Sequence, residues 1–161
     1  MKAEELMDIA LKAGEILVVS GAEVYRIEDT IFNIFKSYDI ECDCFVLLSV
    51  IFITAVDENN HTISRMKTIK EYSFDLRRIE LVNSFSRSLR THPLEYEEAL
   101  KILDSIARAP RHNFKTRMIA AGMTAFVNVI LFKGGIGEAM AAFPISMLIY
   151  YVREKIYAIG F

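Results

Sequence analysis

Residues 118–132 and 139–152 form two charge-free apolar stretches joined by the short link Lys133-Gly-Gly-Ile-Gly-Glu138. No other feature of this chain restricts its possible folds so strongly. A helix that crosses the roughly 30 Å hydrocarbon layer wants about 20 apolar residues, with about 17 as the lower end. Both stretches fall just under that length. They predict a membrane hairpin of short helices; the competing arrangement is a buried helical hairpin at the interface of a soluble oligomer.

Charge separates this tail from the rest. Up to Asp104 the chain holds 12 Lys/Arg against 19 Asp/Glu, a balance of −7, whereas the remainder stands at +5, for −2 overall. A mean hydropathy of +0.27 therefore averages an acidic globule and an apolar tail. Acidity argues against a nucleic-acid partner, because phosphate binding needs Lys/Arg clustered on one face. The basic cluster Arg108, Arg111, Lys115 and Arg117, with His112 among them, lies directly before the first apolar stretch. Arg153 and Lys155 follow the second, while Lys133 and Glu138 cancel in the link. Bases at both outer ends predict a multi-pass arrangement in the cytoplasmic membrane, with the globule cytoplasmic and the glycine link outside. The start, Met1-Lys-Ala-Glu-Glu, has no charged-then-apolar signal region, and two cysteines fit a reducing compartment.

Apolar periodicity organises residues 1–109 into an α+β domain. Leu6, Ile9, Ala10, Ala13, Ile16 and Leu17 make one helix face, and Gly21 breaks that helix. A second helix starts near Glu23 with Val24, Ile27, Ile31, Ile34 and Phe35 inward. Residues 40–56, rich in Val, Ile and Phe and interrupted at Asp43 and Ser49, read as strands. Asp57-Glu-Asn-Asn60 signals a turn before a returning strand over 61–68. Ser73 is placed to cap a third helix carrying Leu76, Ile79, Val82, Phe85 and Leu89. A fourth begins near Pro93 and ends before Pro110. The expected fold is helices packed on a small antiparallel sheet, followed over 114–161 by the transmembrane hairpin.

Enzyme signatures are absent from the sequence. His61, His92 and His112 lie far apart without paired ligand spacing, and Cys42-x-Cys44 lacks further ligands, so no metal or cofactor is assigned. Gly134-Gly-Ile-Gly137 lacks the Lys-Ser/Thr of a phosphate loop and reads as a tight turn. On a helix, Glu23, Arg26 and Thr30 share one side, and Tyr25 and Asp29 another. From the residues alone this is first a solvated face with ion pairs, and only second a functional surface. Ala120, Thr124 and Asn128 recur at four-residue spacing, as do Ala142, Ser146 and Tyr150. Such small and polar stripes hold membrane helices together. Asn128 lining a substrate route is the sharper alternative. Pro144 leaves the Met140 carbonyl without its helical partner, so a kink or a polar contact is expected.

The run Gly21-Ala-Glu-Val-Tyr-Arg-Ile-Glu-Asp-Thr30, more helix, then an Ile/Val-rich sheet resembles the threonine/serine exporter family of bacterial and archaeal membrane proteins. The helix around Asp75-Leu-Arg-Arg-Ile79 with Val82-Asn83 is similar to that family's next recurring element. The apolar helix ending in Phe132-Lys-Gly-Gly135 and a second, Ala-rich helix complete the order. The resemblance implies a cytoplasmic N-terminal domain followed by a bundle of membrane helices. It implies export of threonine and serine or, in two-component relatives, of a dicarboxylate such as succinate. Relatives continue through further spans, so the hairpin is expected to be truncated relative to the family and to work with a homo-oligomer or a second membrane subunit. The functional residues this favours are Glu23, Tyr25, Arg26, Glu28 and Asn83 on the cytoplasmic side and Asn128 in the membrane. A membrane-tethered regulatory or ligand-binding module without transport of its own is the other expectation.

Overall fold

A computed structural model describes residues 1–110 and 113–159, with side chains as far as residue 156. Arg111 and His112 of the basic cluster lie outside the described residues. The chain divides into two compact units, Met1–Ala109 and Pro110–Phe161.

The first unit is α+β. Its elements are α1 (Ala3–Val19), α2 (Val24–Lys36), β1 (Cys42–Leu47), β2 (Val50–Val56), β3 (Thr62–Thr68), α3 (Leu76–Leu89) and α4 (Tyr96–Ala107). The strands form an antiparallel meander in the order β1-β2-β3. Helix α1 is central because it is apolar on most of its circumference: Leu6, Met7, Ile9, Ala10, Ala13 and Leu17 are fully buried. It packs on α2, α3, α4 and the sheet. Gly14 allows the close approach to β2, since a Cβ there would lie 2.9 Å from Cδ1 of Ile51. The polar edge of α1 is tied outward by ion pairs of Asp8 with Arg65, Glu15 with Lys67 and Lys12 with Asp104. Half-exposed pairs of this kind add little each, typically below about 1 kcal/mol.

Alternation sorts the sheet. Val46, Ile51, Ile53 and Ala55 point into the core, and the partners Phe45, Phe52 and Met66 form a row on the open face. The apolar run over 40–56 is broken by a tight turn at Leu48 and Ser49. The next turn is held by Asp57, whose Oδ1 accepts from the backbone N–H of Asn59 at 2.9 Å and of His61 at 2.7 Å. Such side-chain closure is why Asp and Asn mark turns.

Gly21 ends α1 as expected, with φ of 79°. Its N–H meets the Val18 carbonyl and the Ala22 N–H meets that of Leu17, each at 3.0 Å, the paired bonds of a left-handed helix stop. Two boundaries differ from expectation. The cap of α3 is Asp75, whose Oδ1 accepts from the Arg78 N–H at 3.2 Å. Ser73 instead gives its N–H to the Val19 carbonyl at 2.7 Å, and its hydroxyl is buried with no hydrogen-bond partner among the described residues. Helix α4 starts at Tyr96 rather than near Pro93 because Tyr38 Oη accepts from the Leu94 N–H at 3.0 Å and donates to its carbonyl at 2.7 Å.

The second unit is α5 (Phe114–Leu131) and α6 (Ile136–Ile159), packed on each other. Both exceed the apolar stretches that seed them, at 18 and 24 residues. Among the described residues, α5 is the one helix long and apolar enough to cross a membrane. Helix α6 carries Glu138 at its start and Arg153, Glu154 and Lys155 near its end. The link turns at Lys133, with φ of 64°, rather than at a glycine. Gly134 is needed next to it, since a Cβ would lie 2.5 Å from Cγ1 of Val129.

On α5 the seam runs through Ala121 and Gly122, off the expected stripe of Ala120, Thr124 and Asn128. Gly122 is buried against Phe143 and Met147, and Ser146 Oγ donates to the Ala121 carbonyl at 3.0 Å. Ala142, Ser146 and Tyr150 do face α5, but Ala120, Thr124 and Asn128 are exposed on the far side. Close approach is decided by the residue with no side chain, and Gly122 outweighs the neighbouring polar stripe.

Candidate functional site

Helices α2 and α3 lie side by side, and a polar groove of about 580 Å³ opens along their outer surface. Each helix turns an apolar face inward, Ile27, Ile31 and Ile34 from α2 and Ile79, Val82 and Phe85 from α3. The remaining residues at helical spacing supply the groove. Tyr25, Arg26, Asp29, Thr30 and Asn33 come from α2, and Asn83, Ser86, Arg87 and Arg90 from the α3 side.

Its floor joins the two helices. Thr30 Oγ1 lies 2.7 Å from the Arg26 carbonyl and 3.2 Å from Asn83 Oδ1. At one end Arg26 Nε donates to Tyr25 Oη at 3.2 Å and pairs with Glu23 at 3.4 Å. At the other, Asn33 Nδ2 donates to Asp29 at 3.0 Å and Asn33 Oδ1 accepts from Arg90. Arg87 Nη2 donates to Ser84 Oγ at 3.3 Å. Three guanidinium groups thus border one groove with a single carboxylate, Asp29, among the lining residues.

Of the residues singled out from sequence, Tyr25, Arg26 and Asn83 meet in this groove, with Glu23 behind Arg26. Glu28 is not among the lining residues; its Oε1 accepts from the Val46 N–H at 3.3 Å, at the edge of β1. Asn128 belongs to α5 in the other unit and is exposed. Asn33, Ser86, Arg87 and Arg90 were not anticipated. Asn83, Ser86, Arg87 and Arg90 follow the i, i+3, i+4, i+7 spacing of one helix face, so their clustering was readable once a partner helix was known.

A second hollow, of about 680 Å³, lies between the end of α2 and the β1–β2 hairpin, lined by Phe32, Phe35, Lys36 and Cys42 among others. Burial pushes the Cys42 thiol up to about 11 and Cys44 to about 12. Both stay protonated at neutral pH and are poor nucleophiles. Among the described residues, no group of three or more His, Cys, Asp and Glu is placed to hold a metal.

The first unit thus carries a polar groove, and the second is a pair of helices that leave apolar side chains exposed. The family model ThrE, described as "Putative threonine/serine exporter", matches residues 8–161. The chain belongs to that exporter family. It is also similar to an uncharacterized protein of Schizosaccharomyces pombe, 26% identical over 150 residues, which covers 91% of this chain and 20% of that protein. The chain spans about a fifth of that relative's length. No solved structure matches it.

Proposed function

We propose that this chain is a subunit of a membrane exporter that moves a small hydrophilic metabolite out of the cell, threonine or serine or a dicarboxylate such as succinate. In this reading α5 and α6 both cross the cytoplasmic membrane, residues 1–109 lie in the cytoplasm, and the chain carries no catalytic activity or cofactor of its own. The observation that supports it is the surface of the second unit. Among the described residues of α5, Gly122 alone is buried, while Ile119, Met123, Val127, Ile145, Leu148 and Ile149 of the two helices are exposed. Contiguous apolar surface of that kind needs lipid or another chain to cover it.

The charged ends support the orientation. Arg117 pairs with Glu154 at 3.0 Å, and Tyr150 Oη donates to the same carboxylate oxygen at 3.0 Å. Pairing lowers the cost of charge near a membrane, and Lys115 and Lys155 add positive charge at that end. Helix lengths of 18 and 24 residues, at about 1.5 Å each, give about 27 and about 36 Å, so α5 stands at the short end of what a span of the roughly 30 Å layer needs. The exposed stripe of Thr124 and Asn128 supports a further helix as neighbour, from a second copy or a separate membrane subunit.

Efflux decides the matter. Cells fed a threonine-containing dipeptide should release threonine faster with this chain than without it. Equal release of threonine, serine and succinate in both strains sinks the export reading. The groove of the first unit favours a second reading, a membrane-tethered ligand-binding module with no transport role. Flux in liposomes that requires the chain beside its partner subunit removes that option.

A further inference from the structure

We infer that the groove between α2 and α3 is a binding site for a small α-amino acid, held as a zwitterion. Three features of the groove carry this, beyond its shape. The first is donor capacity. Each guanidinium offers five N–H donors, and among the described residues Arg26, Arg87 and Arg90 each commit one nitrogen to a protein acceptor. Remaining N–H groups on planar guanidinium forks suit a carboxylate. Three such groups gather on a unit that is acidic as a whole, so the groove is a local reversal of sign.

The second is Ser86. It is only 3% exposed, it borders the groove, and its hydroxyl makes no hydrogen bond among the described residues. Its hydroxyl is therefore open to the groove and can serve a ligand there as donor or acceptor. The third is Asp29. One of its oxygens accepts from Asn33, and the other accepts from no described residue. A carboxylate beside three guanidinium groups gives the groove two signs of charge. A ligand with one carboxylate and one ammonium answers both. Inorganic phosphate or a dicarboxylate meets the arginines but sets like charge against Asp29. The volume of about 580 Å³ lies within the range of small-molecule sites.

The inference deepens the export reading by naming a cytoplasmic contact for the metabolite, and rests on it only for the choice of threonine as the first probe. Isothermal titration of the full chain in detergent with L-threonine, L-serine, succinate and phosphate tests it without any need for flux. Saturable binding of an amino acid, tighter than that of succinate or phosphate, is expected. Arg87→Gln and Arg90→Gln should each weaken it about tenfold or more, the usual worth of a charged hydrogen bond. Asp29→Asn should weaken the amino acids and strengthen succinate. Lys101→Gln, which removes a charge on α4 outside the groove, should change nothing. Both arginines are exposed, and a thermal melt of each variant confirms folding. Tighter binding of succinate or phosphate, no saturable binding of either amino acid to folded chain, or unchanged affinity in both arginine variants overturns the assignment. Binding without efflux would instead retire the export reading alone.

Discussion

Thr30 on α2 and Asn83 on α3 meet at 3.2 Å, hydroxyl to amide oxygen, beneath the groove that the two helices share. Thr30 is 3% exposed, so the contact is made in the interior of the helix pair. Thr30→Val keeps the shape and removes the hydroxyl. It is expected to cost about 1 kcal/mol and to lower the thermal midpoint of a unit of this size by about 4–8 °C. Unfolding of the full chain in detergent measures it; a variant as stable as the parent shows the contact to be idle.

Gly21 adopts φ of 79°, and a Cβ there would lie 3.1 Å from the Phe74 ring and 3.2 Å from the Ser73 carbonyl oxygen. Gly21→Val should therefore lose about 1–2 kcal/mol from backbone conformation alone, before crowding is added. Gly21→Asn, which tolerates the left-handed region, should lose less. Denaturant midpoints rank the two, and the reverse order contradicts this account of the helix stop.

Burial holds the Cys42 thiol near 11 and the Cys44 thiol near 12. Raised values favour the neutral thiol, so alkylation by iodoacetamide at neutral pH should run at least about tenfold slower than for a free cysteine. The rate should climb as pH rises toward the shifted values. Fast labelling at neutral pH, followed by mass spectrometry, would falsify the half-buried placement of these side chains.

Asp104 accepts a hydrogen bond from Lys12 at 2.6 Å, and that bond holds its carboxyl below the usual 3.8. A lowered carboxyl stabilises the folded state above its unfolded value and loses the effect as pH falls through its folded value. The stability difference between the parent and Asp104→Asn should be constant from neutral pH down to about 5 and vanish in stronger acid. The group is exposed, so a small difference is expected. A difference that grows on acidification has the wrong sign.

In the hairpin, a Cβ on Gly122 would lie 3.0 Å from Met147 and from two ring carbons of Phe143. Gly122→Ile is expected to separate α5 from α6 at a cost of about 1–3 kcal/mol. Disulfide trapping between cysteines placed at Ala121 and Ser146 should fall in that background. Undiminished trapping places the seam elsewhere.

What was legible in advance was local. The Asp57 turn, the Gly21 stop and the faces of α1 and α2 depend on residues within a few positions of each other, and periodicity reports them directly. Ser73 misled because its backbone is held by Val19, far away in sequence, which delays the helix to Asp75. The stripe of Ala120, Thr124 and Asn128 misled because polar spacing competed with the steric permission of Gly122. The groove was half visible: Tyr25 and Arg26 stood out in one segment, and Asn83 through the family's order of elements. Arg87 and Arg90 joined them only when α3 was seen beside α2, since pairing of two helices is set by tertiary packing and not by either pattern alone.

Along the chain, every residue of the first unit's core, from Leu6 to Ile106, precedes the apolar hairpin. Domains fold as units, N-terminal part first, while synthesis continues. The α+β unit is therefore complete in its own core before Met118 needs any partner. Folding of the globule and disposal of the hairpin are separate events in time. A fault in the second leaves the first already folded.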